Sequence, residues 1–273
     1  MFEKLKTYLK REILIRPSWR KKVTQVGSVS HRMGISFIIF SRRLVRFMNH
    51  HVTDSESDWF VYEQKTLHKK IKAVLKDQVE KYGSYSYFYG HPYQSLGILG
   101  VYGERSTEER FECYELRDII KHDDRLLDIG CNCGFMAVYT AFRTGCRAHG
   151  IDINPYMTRI GELCADYLRL SDRVNLEAIN IHDFKPDELY TVVFSFATHW
   201  TDDENYRVPL REHFERLAGY LDNGGLLVFE SHANDVGDEE FYATIDSIGD
   251  IFSLQSKKDT DQATRHLYLF RKV

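Results

Sequence analysis

Leu126–Phe135 reads LLDIGCNCGF, an apolar run that gives way to two glycines and two cysteines and then opens the helical pattern FMAVYTAFRTG. Two chemistries compete for this stretch. Cys131 and Cys133 are either a metal or redox pair, or passengers on a glycine turn that cradles a nucleotide-like cofactor. A structural metal site needs about four ligands. No second Cys/His pair stands at zinc spacing, and the next cysteine, Cys146, lies across a helix. The glycine reading accounts for more residues. Gly130 permits a tight turn after the strand and Gly134 a close approach at the helix start, while Asn132 between them tolerates a left-handed backbone. The N–H groups at that helix start then face a ligand. On this reading the cysteines carry no chemistry.

Outward from the turn, strand-like and helix-like runs alternate. RLLDIG (125–130), RAHGID (147–152), VNLEAIN (174–180), TVVFSFA (191–197) and GLLVFES (225–231) read as strands, and 134–144, 155–170 and 204–221 as helices. Near-continuously apolar strands separated by helices predict a parallel sheet covered on both faces. After a helix near 238–249, IFSLQSK and RHLYLFRKV flank the polar KDTDQAT and read as a hairpin. Upstream, 57–82 has helical periodicity with Ser57 or Asp58 as its N-cap. An aromatic and glycine-rich connector follows, with six tyrosines between 82 and 102. The chain therefore divides into a basic helical extension (1–81), a connector closing over a ligand (82–121) and an α/β domain (122–273).

At 273 residues with 43% hydrophobic side chains the chain has the material for one large core and is not of disordered composition. The longest apolar runs, such as FIIF at 37–40, fall far short of the ~20 residues of a membrane span. The N-terminus lacks the apolar core of a signal peptide, and five cysteines do not make a disulfide framework, so the expected compartment is the cytoplasm. The net charge of −3 conceals an asymmetry, because residues 1–50 hold twelve Lys/Arg against two Glu. Such a segment faces nucleic acid, a phospholipid surface, or the chain's own acidic remainder. Phe2, Leu5, Leu9 and Ile13 share one helical face within 2–14, and 34–48 is a second basic, apolar helix candidate.

The strand ends supply a further series. The second strand closes GIDINP, placing Asp152 18 residues beyond Gly134, where a carboxylate accepts hydrogen bonds from a ribose diol. The third closes NIHDF with Asp183 in position to read a base amino group, the fourth FSFATHW and the fifth FESH. All lie on the ligand-binding edge of a parallel sheet.

With this series, residues 122–273 resemble the class I S-adenosylmethionine-dependent methyltransferases, with LLDIGCNCGF, GIDINP, NIHDF and the closing hairpin as the matching motifs. The resemblance implies a Rossmann-like seven-stranded sheet whose last strand is antiparallel, which a dehydrogenase would lack. Asn132 departs from the glycine found in many members. The resemblance also implies S-adenosyl-L-methionine as cofactor, and the sequence shows no metal triad, so no metal is expected. Asp128, Gly130 and Gly134 would then border its methionine end, with Asp152 on the ribose, Ile153 on the adenine and Asp183 on its amino group, and Asn132, Phe135 and Ser195 also among the cofactor-binding residues. The preceding stretch HPYQSLGILGVYGERSTEERFECYEL resembles the lead-in of tRNA wobble-uridine carboxymethyltransferases and of surface-polysaccharide methyltransferases, and implies Tyr93 and Gln94 as residues closing over the cofactor.

For the acceptor, the fourth strand lacks the Asn/Asp-Pro-Pro-Tyr/Phe signature expected of amino-group methyltransferases, since SFATHW stands there. That favours a hydroxyl, which needs a general base. His199 is the first candidate, with His232 and Glu230 behind it. The apolar face interleaved with the basic residues of the N-terminal segment favours a glycan acceptor, lipid-linked at the inner face of a membrane, with the basic helices as a peripheral contact. A tRNA substrate, using the same segment on phosphates, and a small-molecule acceptor are the alternatives. The oligomeric state is open.

Overall fold

The computed structural model describes residues 56–82, 92–200 and 208–273. The candidate helices at 2–14 and 34–48 lie outside the described residues. The chain separates into two compact units, Met1–Tyr62 and Glu63–Val273, and the account that follows concerns the second. Among the described residues no helix is long and apolar enough to cross a membrane.

Helix α1 (Glu56–Tyr82) precedes a short parallel pair, β1 (Gln94–Ser95) with β2 (Arg105–Ser106), and two short helices, α2 (Thr107–Cys113) and α3 (Leu116–Ile119). There follow β3 (Arg125–Ile129), α4 (Phe135–Thr144), β4 (Arg147–Asp152), α5 (Pro155–Tyr167), β5 (Val174–Ala178) and β6 (Tyr190–Phe196). The chain ends with α6 (Leu210–Tyr220), β7 (Leu221–Glu230), α7 (Glu239–Ser247), β8 (Phe252–Asp259) and β9 (His266–Lys272).

The main sheet has seven strands in the order β5-β4-β3-β6-β7-β9-β8. Its first five are parallel and β9, the last in sequence, is antiparallel to both neighbours. This is the expected topology. From β3 the chain runs outward through β4 and β5, then returns to β6 on the other side, so the strand order reverses beside β3. The carboxyl ends of β3, β4, β6 and β7 flank the crevice that such a reversal opens.

Alternation along the strands divides the core in two. Leu126 of β3 and Val192 and Phe194 of β6 face the layer with Phe135, Met136, Met157 and Ile160 of α4 and α5. Leu127 and Val193 face Phe214 and Leu217 of α6 and Phe241 of α7. Leu67, Ile71 and Leu75 of α1 belong to the first layer.

Several boundaries differ from the sequence reading for local reasons. Helix α1 begins at Glu56, so Ser57 and Asp58 stand inside its first turn and neither is its cap. Helix α5 stops at Tyr167, short of 170, because Arg169 takes a left-handed φ of 57°. The stretch read only as a connector contains α2, whose N-cap Ser106 accepts a hydrogen bond from Glu109 N–H. Asn154 caps α5 in the same manner, with Pro155 as its first residue.

The glycines make contrasting predictions. Gly134 has φ +64°, and a Cβ there would stand 2.6 Å from Leu176 Cδ2. Gly219 lies within α6 with nothing within 4 Å of the added carbon. Gly134→Ala is expected to lower unfolding stability by roughly 2–4 kcal/mol, combining left-handed strain and overpacking. Gly219→Ala should raise it by about 1 kcal/mol. Denaturant midpoints of the two variants check both signs.

Candidate functional site

At the carboxyl edge of the sheet, the turn from β3 into α4 holds three left-handed residues, Gly130 (φ 62°), Asn132 (φ 55°) and Gly134 (φ 64°). Asn132 thus takes the left-handed backbone expected of it. The turn is held from outside. Cys131 N–H donates to Ile151 O at 2.9 Å, and Asn132 N–H donates to Asp152 Oδ2 at 2.8 Å. The other Asp152 oxygen accepts from Asn154 N–H at 2.9 Å. Cys131 and Cys133 point into the core, where Cys133 Sγ lies 3.3 Å from Met157 Sδ. Burial pushes both thiols well up, and all five cysteines are free.

Above this edge lies a cleft of about 290 Å³. The structure brings Tyr93, Gln94, Asp128, Gly130, Asn132, Asp152, Ile153 and His199 together around it. The other candidates fall elsewhere. Gly134 caps α4, and Phe135 is fully buried behind the turn. Asp183 sits exposed in the turn after β5, and its neighbours Ile181 and His182 line the cleft in its place. Ser195 is buried against Thr198 Oγ1 at 2.6 Å and His213 Nε2 at 3.2 Å, and it is Thr198 and His213 that reach the cleft.

Asp128 is 2% exposed, and its Oδ2 has no partner among the described residues. Burial pushes its carboxyl up to about 7, against the pull of Arg110 and the Ala137 N–H, with Asp152 adding to the rise.

The fourth strand ends in strain. Ala197, with φ 61°, turns the chain from β6 into the short 3-10 turn Thr198–Trp200, a cost of about 1–2 kcal/mol for a residue with a Cβ. The turn delivers His199 to the cleft. Its Nε2 lies 2.9 Å from Asp235 Oδ2. A carboxylate only accepts, so Nε2 carries the proton and Nδ1 holds the lone pair. Nδ1 has no partner among the described residues. Asp235 also accepts from the Trp200 indole and from His232 N–H. Burial raises its carboxyl, but the His199 hydrogen bond and charge outweigh burial and keep it low.

The other two candidate bases are already committed. His232 accepts Asn234 N–H at 3.1 Å on its Nδ1, capping the turn Ala233–Asp235. Glu230 is fully buried. It accepts from Arg105 at 2.8 Å, from Arg110 and Arg265 at 2.9 Å each, and from Tyr114 OH. Burial raises its carboxyl, but Arg110 and Arg105 overcome this and hold it at about 2. A carboxylate that acidic is a poor proton acceptor at neutral pH. Neither residue lines the cleft.

Sequence reasoning missed Arg105, Arg110 and Arg265, all of which line the cleft. The signal for the first two was Ser106 three residues ahead of Glu109, a capping pattern that starts α2 and fixes which side chains turn inward. Nothing comparable announced Asp235, which stands 36 residues from His199 in sequence.

Residues 126–225 match the family model described as "Methyltransferase domain". Among solved structures, the [4+2]-cyclase SpnF aligns at 15% identity over 77% of this chain and 96% of its own, with a TM-score of 0.51. A geranyl diphosphate methyltransferase in complex with SAM aligns at 14% identity over 68% and 99%, with a TM-score of 0.50. N-methyltransferase NodS from Bradyrhizobium japonicum WM9, in complex with S-adenosyl-l-homocysteine, gives 20% identity over 60% and 86%, with a TM-score of 0.48. No curated protein matches the chain in sequence. Residues 126–225 thus match a methyltransferase domain, and the sheet order is that of the class I methyltransferase fold. A fold shared with a cyclase does not name the acceptor.

The raised Asp128 carboxyl has a stability consequence. Between the carboxyl's ordinary range and about 7 the native protein holds a proton that the unfolded chain has released, so stability falls as pH rises through that window. Asp128→Asn should remove this slope and raise Tm by several degrees at about pH 8, with the gain shrinking towards about pH 5. Thermal melts across pH check the sign.

Proposed function

We propose that this methyltransferase transfers a methyl group to a hydroxyl of a bacterial glycan, either a surface polysaccharide or a lipid-linked saccharide. The observation that carries the hydroxyl is His199 on the cleft, paired behind it with the buried Asp235. An alcohol keeps its proton at neutral pH and needs a base as its oxygen is alkylated. His199 is poised for that, with Nε2 fixed by Asp235 and an unspent lone pair on Nδ1. As the new C–O bond forms, Nδ1 would take the hydroxyl proton, and the Asp235 carboxylate would stabilise the imidazolium it becomes.

The residues present fit the cofactor. Asp152 holds the turn through backbone N–H groups and stands on the cleft at the end of the second strand, where a carboxylate would take a ribose hydroxyl. A Cβ at Gly130 would stand 2.7 Å from Thr198 Cγ2, so the turn and the fourth-strand loop close on one another only because that position is bare. Tyr93 and Gln94 would cover the cleft from the connector, and Ile153 offers an apolar face to the base. When bound, the cofactor supplies a methyl group on a sulfonium, so the protein's task is to orient the acceptor, exclude water and remove a proton.

The glycan is supported by the N-terminal segment. Its twelve cationic residues in the first fifty are interleaved with apolar ones at helical spacing, a pattern suited to an anionic membrane carrying lipid-linked saccharides.

The test is a partition of labelled methyl. The protein and S-adenosylmethionine with a labelled methyl group are incubated with small RNA and with glycan fractions from a strain lacking the gene. Label is expected in the glycan. His199→Ala should lower its rate by about 10²- to 10⁴-fold while S-adenosylhomocysteine affinity holds. Label in RNA, or undiminished transfer by the variant, would overturn the proposal.

A further inference from the structure

The outer face of α1 is strongly basic. Between Gln64 and Tyr82 the helix holds six lysines against Asp77 and Glu80, on a chain whose residues beyond 50 are net acidic. Four of the six, Lys65, Lys69, Lys72 and Lys76, are exposed and stand four, three and four residues apart. At 3.6 residues per turn they fall within about 60° of arc and form a stripe roughly 16 Å long. The face that carries Leu67, Ile71, Leu75 and Gln78 is buried and turned away from it. Lys76 meets Glu80 at 3.4 Å, whereas Lys65, Lys69 and Lys72 make no ion pair among the described residues.

A helix that merely faces water gains from alternating charges, with acids four residues ahead of lysines. Here the neighbouring pairs Lys65–Lys69, Lys69–Lys72 and Lys72–Lys76 are alike in charge, and each weakens the helix slightly. An anionic surface laid along the stripe turns that repulsion into attraction. The stripe suits phospholipid headgroups better than a nucleic acid. It is all lysine, a flexible point charge, without the arginine forks that grip phosphates in a fixed geometry. No aromatic side chain lies within it to stack a base. Four lysines clustered on one helix face are enough to attract an anionic leaflet.

We infer that the outer face of α1 docks on an anionic phospholipid surface through Lys65, Lys69, Lys72 and Lys76. The contact is electrostatic and stays at the headgroups, because the apolar face of the helix is already packed into the core. The helix is also tied to the cleft. Gln64 Nε2 donates to Leu99 O at 2.8 Å, and His68 Nε2 donates to the same oxygen at 2.7 Å. Leu99 ends the short turn that follows β1, whose Gln94 lines the cleft. A docked α1 therefore holds the cover of the cleft close to the lipid surface. The inference needs neither the cofactor nor the hydroxyl acceptor, and it concerns a surface separate from residues 1–50.

The test is sedimentation of the full chain with vesicles at about 0.1 M salt, where screening leaves only nearby charges in play. Vesicles of phosphatidylcholine alone are compared with vesicles of equal parts phosphatidylcholine and phosphatidylglycerol. The wild type should sediment with the mixed vesicles only. Lys69→Gln with Lys72→Gln should weaken that binding by about ten-fold. Lys70→Gln with Lys81→Gln removes the same charge from another exposed face of the helix and should weaken it by less than about three-fold. Glutamine is a good helix former, and matching thermal melts report that both variants are folded. Equal losses in the two double variants would overturn the stripe and leave net charge alone. Mixed-vesicle binding that survives Lys69→Gln with Lys72→Gln would also overturn it and assign the contact to residues 1–50. A wild type that ignores the mixed vesicles would overturn it as well, and binding to small RNA lost on the same substitutions would make the stripe a phosphate track. The vesicles hold no acceptor and the assay no cofactor, so this result stands apart from the partition of labelled methyl.

Discussion

The Asp152 carboxylate, at the end of the second parallel strand, holds two pieces of backbone at once. One oxygen takes Asn132 N–H at 2.8 Å, pinning the turn after β3, and the other takes Asn154 N–H at 2.9 Å. Asn154 in turn accepts from Tyr156 N–H and caps α5. Charge-assisted bonds of this kind are among the stronger ones available to a backbone. Here they fix a turn that would otherwise be free, because three of its five residues sit in the left-handed region. The same carboxylate stands on the cleft, so the group that builds the loop also faces the ligand.

A second buried carboxylate organises the opposite wall. Glu230 ends β7 and gathers guanidiniums from β2, α2 and the hairpin leading into β9. Breaking such a cluster from one side is costly, while its net contribution to stability is small once desolvation is counted. Its more informative property is charge. It leaves a cation at the cleft instead of a neutral wall, and it removes Glu230 from acid–base chemistry. The His199 tautomer, by contrast, is set by Asp235 and leaves Nδ1 without a proton.

Much of this was legible because it follows from periodicity and from backbone requirements. The alternation of apolar strands and helices predicts the parallel sheet, and the closing hairpin predicts the antiparallel last strand. Gly130, Asn132 and Gly134 are legible as a turn because few residues accept a positive φ. Asp152 follows from its place at a strand end. Side-chain pairings between distant elements were not legible in that way. Nothing in FESH signals that Glu230 is enclosed by Arg105, Arg110 and Arg265, or that Asp235 orients His199. Asp183 stands outside the lining of the cleft, where a turn of Asn180–Asp183, closed by Asp183 N–H on Asn180 O, brings Ile181 and His182 instead. The helices after Ser106 were read as connector because the tyrosine- and glycine-rich stretch 82–103 runs straight into them, although Thr107–Cys113 holds neither residue.

The most direct measurement is a crystal structure of the protein with S-adenosylhomocysteine. The nucleoside is predicted in the cleft beside the β3 turn, with both ribose hydroxyls within hydrogen-bond distance of Asp152 and the sulfur on the side of His199. A nucleoside bound elsewhere, or one whose ribose hydroxyls lie beyond hydrogen-bond distance of Asp152, would contradict it.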